Sequence, residues 1–135
     1  MALDPQFPAV VRTAHKKLVN ATGTSAQTLL TMGGTIGGIL ITLFLTSNDT
    51  TTRNLTLLLG DGTEDVLLDT VTIPAAVATT PVQRVNLMNA YRWAELDSNN
   101  VQGFLASGRI LKVRMETAVS SGAFEIAVIS SYGEY

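Results

Sequence analysis

Cysteine is absent from this 135-residue chain. That removes disulfide scaffolds, thiolate-ligated zinc, iron–sulfur clusters and thiol catalysis. Histidine occurs once, as His15, so histidine-rich metal centres and two-histidine zinc motifs are excluded as well. Charge is also scarce. Charged residues are 15% of the chain, against about 25% in an average soluble domain. Nine Lys and Arg stand against eleven Asp and Glu, for a net charge of -2. A protein that grips phosphate backbones needs a basic face, and the basic residues here are scattered, so nucleic acid is not an expected partner. The first eight residues, Met1 to Pro8, carry neither a basic stretch nor an apolar run and do not read as a secretory signal.

What remains is apolar and rich in threonine. Hydrophobic residues are 46% of the chain, which excludes intrinsic disorder, and the length fits one domain with a single core. Eighteen Thr run from Thr13 to Thr117, and Thr, Val and Ile favour pleated backbone. No charge occurs between Leu18 and Asn48, and Thr28 to Leu45 contains two overlapping GxxxG patterns within Gly33-Gly34-Thr35-Ile36-Gly37-Gly38. That spacing suits packed membrane helices. Four glycines and four threonines in eighteen residues weaken a helix, and no basic cluster flanks the run to orient it. The expectation is a glycine loop feeding a buried strand, with no membrane span.

Period-two alternation then marks the strands. Val10 to Val19 reads as an edge strand, with Val11, His15, Lys17 and Val19 on one face. Gln27 to Met32 follows. Ile39 to Thr46 places Ile39, Ile41, Leu43 and Leu45 on one face, and Arg53 to Leu59 places Leu55, Leu57 and Leu59 inward. Gly60-Asp61-Gly62-Thr63 is a hairpin signal, Asp65 to Ile73 is the return strand, and Pro74 closes it. Leu58, Val66 and Leu68 fall opposite the leucine core positions, which predicts a partly apolar outer face. Val82 to Met88 is another strand, and Asn89 to Gly108 reads as the longest irregular stretch, with a helical turn suggested by Ala90, Trp93, Ala94 and Asp97. Arg109 to Thr117 puts Leu111, Val113 and Met115 inward, and Ala123 to Ser130 closes the sheet with Phe124, Ile126 and Val128 inward. Seven to eight short strands with regular turns predict an all-β fold, a single β-sandwich of jelly-roll or immunoglobulin-like order. An extended N-terminal arm is expected over residues 1–8, since prolines at 5 and 8 disfavour helix, with the sandwich over 9–135.

No constellation announces a reaction. Asp61, Glu64, Asp65 and Asp69 crowd the central hairpin, but they lack the twelve-residue calcium-loop spacing, and the plainer reading is a turn capped by Asp61. His15 has no neighbouring acid and nucleophile to make a triad. The glycine run lacks the Lys-Ser/Thr ending of a phosphate loop. Tyr91, Arg92, Trp93 and Phe104 lie in the long irregular stretch; such residues anchor interfaces or stack on sugars, or plug one end of a sandwich. The sequons at Asn20, Asn48 and Asn54 arise readily in a Thr-rich chain.

The glycine loop before Ile39-x-Ile41-x-Leu43, the strand ending in Gly60-Asp61-Gly62, the Val71-Thr72-Ile73-Pro74 return and the closing Phe124-Glu125-Ile126-Ala127-Val128 with its Tyr132-Gly133-Glu134-Tyr135 end together resemble head decoration (cement) proteins of tailed bacteriophages. The likeness runs from about Ala26 to Tyr135. It implies a structural virion protein on the capsid surface, bound in many copies to the major capsid protein, assembled as a homotrimer, with no cofactor and no catalysis. Partner contacts are expected from the arm, through Pro5, Phe7 and Pro8, and from Tyr91, Arg92 and Trp93. The alternative is a tail or spike component that binds a host-surface carbohydrate through Tyr91, Trp93 and the acidic hairpin. A small sandwich enzyme is a third class, and its cupin form needs several histidines where this chain has one.

Overall fold

The computed structural model describes residues 8–77, 82–87 and 104–135. Nine strands lie within them: β1 (Val10–Leu18), β2 (Gln27–Thr31), β3 (Gly37–Ser47), β4 (Arg53–Gly60), β5 (Asp65–Ile73), β6 (Gln83–Asn86), β7 (Phe104–Ala106), β8 (Ile110–Met115) and β9 (Ile126–Glu134). One antiparallel sheet has the order β1-β9-β3-β6, with β7 also on β3; the other has the order β2-β8-β4-β5.

The pairing is nested. β1 pairs β9, β2 pairs β8, β3 pairs β6 and β4 pairs β5. The chain therefore behaves as one long antiparallel ribbon turning at the 61–64 loop. Closure comes from β9 on β3 and β8 on β4. Ribbon plus closure is the jelly-roll order, which decides between the two sandwich types left open by the strand spacing.

The core lies between the sheets. Leu43 and Leu45 of β3, Leu55 and Leu57 of β4, Leu111 and Val113 of β8 and Ile126 and Val128 of β9 are all buried, and Leu18 at the end of β1 seals one flank. Burying each leucine stabilises the fold by roughly 1.5–3 kcal/mol.

Strand positions agree with the alternation, and the departures occur at bulges. The β3–β9 register shifts between Leu40 and Thr42. Leu40 is buried and Ile41 turns outward, 46% exposed, so Ile39 and Ile41 do not share the face of Leu43 and Leu45. The shift leaves polar groups around Thr42, and hydroxyls take them: Ser130 Oγ donates to the Thr42 carbonyl at 3.0 Å, and Thr42 Oγ1 accepts from the Ser131 amide at 3.2 Å. A second shift, between Leu57 and Leu58, sets Leu58 opposite Leu67. Leu68 thereby packs toward the core, and Leu67 is the outer residue, 61% exposed. Of the apolar outer face expected here, Val66 is exposed while Leu58 is buried.

Two further corrections concern extent. β9 runs to Glu134 rather than stopping at Ser130, because β1 and β3 pair it along both edges. Phe124 precedes that strand and is half-buried against the core. β7 lies inside the stretch expected to be irregular, held by Gly37, Gly38 and Ile39 of β3.

Candidate interaction surface

The two ends of the sandwich are built by different means. At the end where β3 finishes and β9 starts, the turn Ser47-Asn48-Asp49 is wired to the loop before β9. Asn48 Oδ1 accepts from the Glu125 amide at 2.7 Å, and Asn48 Nδ2 donates to the Ala123 carbonyl at 3.3 Å. Asp49 is fully buried. Its Oδ2 accepts from Arg53 Nε and from the Ser120 amide, each at 2.9 Å. Its Oδ1 accepts from Ser120 Oγ at 2.8 Å and the Thr51 amide at 3.0 Å. Burial pushes this carboxyl up, but the Ser120 and Thr51 amides, the Ser120 hydroxyl and Arg53 outweigh it and hold the group down to about 2. A buried carboxylate with every lone-pair direction engaged is a structural lock, with no capacity left for substrate.

At the opposite end the glycine run wraps the segment Gly133 to Tyr135. The Thr35 amide donates to the Tyr135 carbonyl at 2.7 Å, and the Tyr135 amide donates to the Gly37 carbonyl at 2.9 Å. Glu134 Oε1 accepts from the Gly33 amide at 3.3 Å, while its Oε2 accepts from Arg12 Nε at 3.1 Å. Glycine is required by close approach. A Cβ at Gly38 would lie 2.0 Å from the Gly133 carbonyl oxygen, and one at Gly37, whose φ is 120°, would lie 2.2 Å from the Leu105 oxygen. The Thr35 and Gly33 amides that a phosphate loop would aim at a ligand are thus spent on this chain.

The other candidates fall as follows. The Glu64 and Thr63 amides, at 3.0 and 2.8 Å, hold the Asp61 carboxyl below its ordinary range; Asp61 caps its own turn. Asp65 is taken by Lys112 at 3.1 Å. Among the described residues no group of three or more His, Asp and Glu could hold a metal ion, and no helix is long and apolar enough to cross a membrane. His15 stands exposed on the outer face of β1. Pro5, Phe7, Tyr91, Arg92 and Trp93 lie outside the described residues, as does the helical turn expected near Trp93. Pro8 is described, and it belongs with the sandwich. Its ring lies against Gly133, where a Cβ would come within 2.5 Å of it, and the next amide, Ala9, donates to the Glu134 carbonyl at 2.8 Å.

A surface that residue patterns alone did not single out is the outer face of β3 beside β6. Ile41, Thr42, Phe44, Arg84 and Asn86 border a cleft of about 130 Å³, well below the ~300–1,000 Å³ of ligand pockets. The Arg84 guanidinium sits 4.6 Å over the Phe44 ring, a cation–π contact of about 0.5–1 kcal/mol at an exposed site. Ile129 of β9 lies next to Phe44 in the same cross-strand row. The face thus combines an exposed isoleucine, a half-buried aromatic and an arginine, residue types that recur in protein interfaces. Nothing in the sequence alternation marked it, because a register shift between Leu40 and Thr42, seen only in the structure, is what turns Ile41 outward. No family model matches this sequence, and no curated protein matches it.

Proposed function

We propose that this chain is a structural virion protein, a capsid decoration protein that binds the major capsid protein and stabilises the head as a homotrimer. The observation that carries the proposal is the use to which the polar groups are put. The Asp61 turn and the glycine run, two of the places where chemistry was sought, serve the fold, and so does the buried Asp49 network. The jelly roll is an architecture used for viral capsid domains, and the likeness in sequence pattern points the same way. On this reading the protein works by contact and catalyses nothing, and the β3–β6 face with Ile41, Phe44 and Arg84 is the surface offered to the shell. The test is to add the purified chain to capsid shells stripped of it. Co-sedimentation with the shell and a higher shell melting temperature are expected, and Ile41→Asp weakens both. A chain that neither binds nor stabilises stripped shells contradicts the proposal.

A second reading is supported by the same cleft. Jelly rolls also serve as lectin domains, and the Phe44 ring and the Arg84 guanidinium over it are groups that stack on sugars and donate to them. A glycan array separates the two: binding lost in Phe44→Ala favours the tail or spike role, and a blank array removes it.

A further inference from the structure

We propose that the chain self-associates head to tail, the outer edge of β1 in one copy pairing with the outer edge of β5 in the next. β1 ends one sheet and β5 ends the other. β1 lies over β2, so β1 and β5 occupy opposite flanks. Among the described residues neither strand has a neighbour on its outer side. Each is nine residues long, which leaves about 30 Å of backbone donors and acceptors open to another strand.

Charge on an edge ordinarily blunts it against pairing. Here the two edges carry opposite sign. β1 bears Arg12, His15, Lys16 and Lys17 and no acid; β5 bears Asp65 and Asp69, follows Glu64, and has no base. Both faces are covered. On β1, Arg12 and Lys16 alternate with the inward Ala14 and Leu18, whereas His15 and Lys17 point outward. On β5, Asp65 stands in register with Gly60, and the bulge puts Asp69 opposite the inward Leu57, so the two acids project from different faces. A joint sheet therefore sets acid against base on either face. Pairing β1 with β1, or β5 with β5, instead opposes like charges, which destabilises a strand pair. The charges thus reject the two-fold contact and admit the heterologous one. Val11 at 64% and Val66 at 56% exposure add apolar surface to both edges.

A heterologous contact closes into a ring or extends as a filament. Two copies cannot close it, so the smallest closed assembly is a trimer. The inference deepens the proposed homotrimer by naming its contact; its failure removes that assembly but not binding to the shell, which the stripped-shell experiment reads separately.

Lys16 and Asp69 are the residues to test, since neither makes an ion pair with another described residue. Sedimentation equilibrium of the full chain over a hundredfold concentration range is expected to show a species of three or more copies, weakened by 1 M salt. Lys16→Glu and Asp69→Lys each weaken assembly at least tenfold, and the double variant restores it. The neutral pair Lys16→Gln and Asp69→Asn, with melting curves on every variant, separates assembly from folding. A monomer at all concentrations, a dimer that does not grow, or single reversals with unchanged mass overturns the proposal.

Discussion

The two ends of this sandwich are closed by opposite strategies. One end is held by a titratable side chain, Asp49, that gathers Arg53, Ser120 and Thr51. The other is held chiefly by the lack of side chains, at Gly34, Gly37 and Gly38, which lets backbone approach backbone around Gly133 to Tyr135, with the Glu134 carboxylate bridging Gly33 and Arg12 beside it. The first is electrostatic and fails with pH or with loss of a partner. The second is steric and fails with any added Cβ. Among the buried polar groups, Ser47 and Asp49 fasten a loop, whereas Thr56 and Ser130 tie neighbouring strands together.

Perturbations ranked by size break or sharpen that contrast. Gly38→Ala is expected to cost the most, about 4 kcal/mol by urea unfolding, since a clash with the Gly133 carbonyl joins one with Met32 Sδ and large losses of this kind follow from overpacking and backbone strain. Asp49→Ala comes next, at about 3 kcal/mol, because it strands a nearly buried Arg53 and leaving one partner of a buried pair is costly.

Acid separates the ends directly. The folded Asp49 carboxyl titrates near 2, below its unfolded value of about 3.9. Its contribution is therefore fully present above about pH 4 and is lost as pH falls toward 2, a loss of about 2 kcal/mol. Unfolding measured across that window should show the loss in the wild type and in Gly38→Ala, and should show it flattened in Asp49→Asn. A Gly62→Ala control, at a positive φ with nothing within 4 Å of the new Cβ, costs only about 1–2 kcal/mol. The smallest effect belongs to Lys17→Ala. It removes an ion pair to Glu125 whose side chains are 63% and 44% exposed, and such pairs contribute under about 1 kcal/mol.

Much of the fold was legible in the residues. Alternation located β1, β4, β5 and β8, and Gly60-Asp61-Gly62-Thr63 marked the central hairpin. Strand spacing carries no information about which strand lies beside which, so the nested order appeared only in the structure. Bulges defeated the period-two count at Ile41 and Leu68, because one extra residue turns everything beyond it to the other face. The end of β9 was missed for a compositional reason. Two serines and a glycine break the apolar alternation after Ile129, which puts the expected end of the strand at Ser130, yet Ser130 is buried and its hydroxyl serves the β3 bulge. The role of the glycine run was half legible: a loop feeding a buried strand was expected, but the strand end that it approaches so closely, Gly133 to Tyr135, lies about a hundred residues away in sequence. Asp49 was the least legible, since an Asp four residues before an Arg in a polar turn is common and only burial distinguishes it.

The central claim is a role in the virion, and one measurement tests it most directly: quantitative mass spectrometry of purified particles, counting copies of this chain against the major capsid protein. The account predicts hundreds of copies per particle in fixed ratio to the major capsid protein. A handful of copies would move the chain to the tail or neck and favour the sugar-binding reading, and its absence from particles would contradict the account.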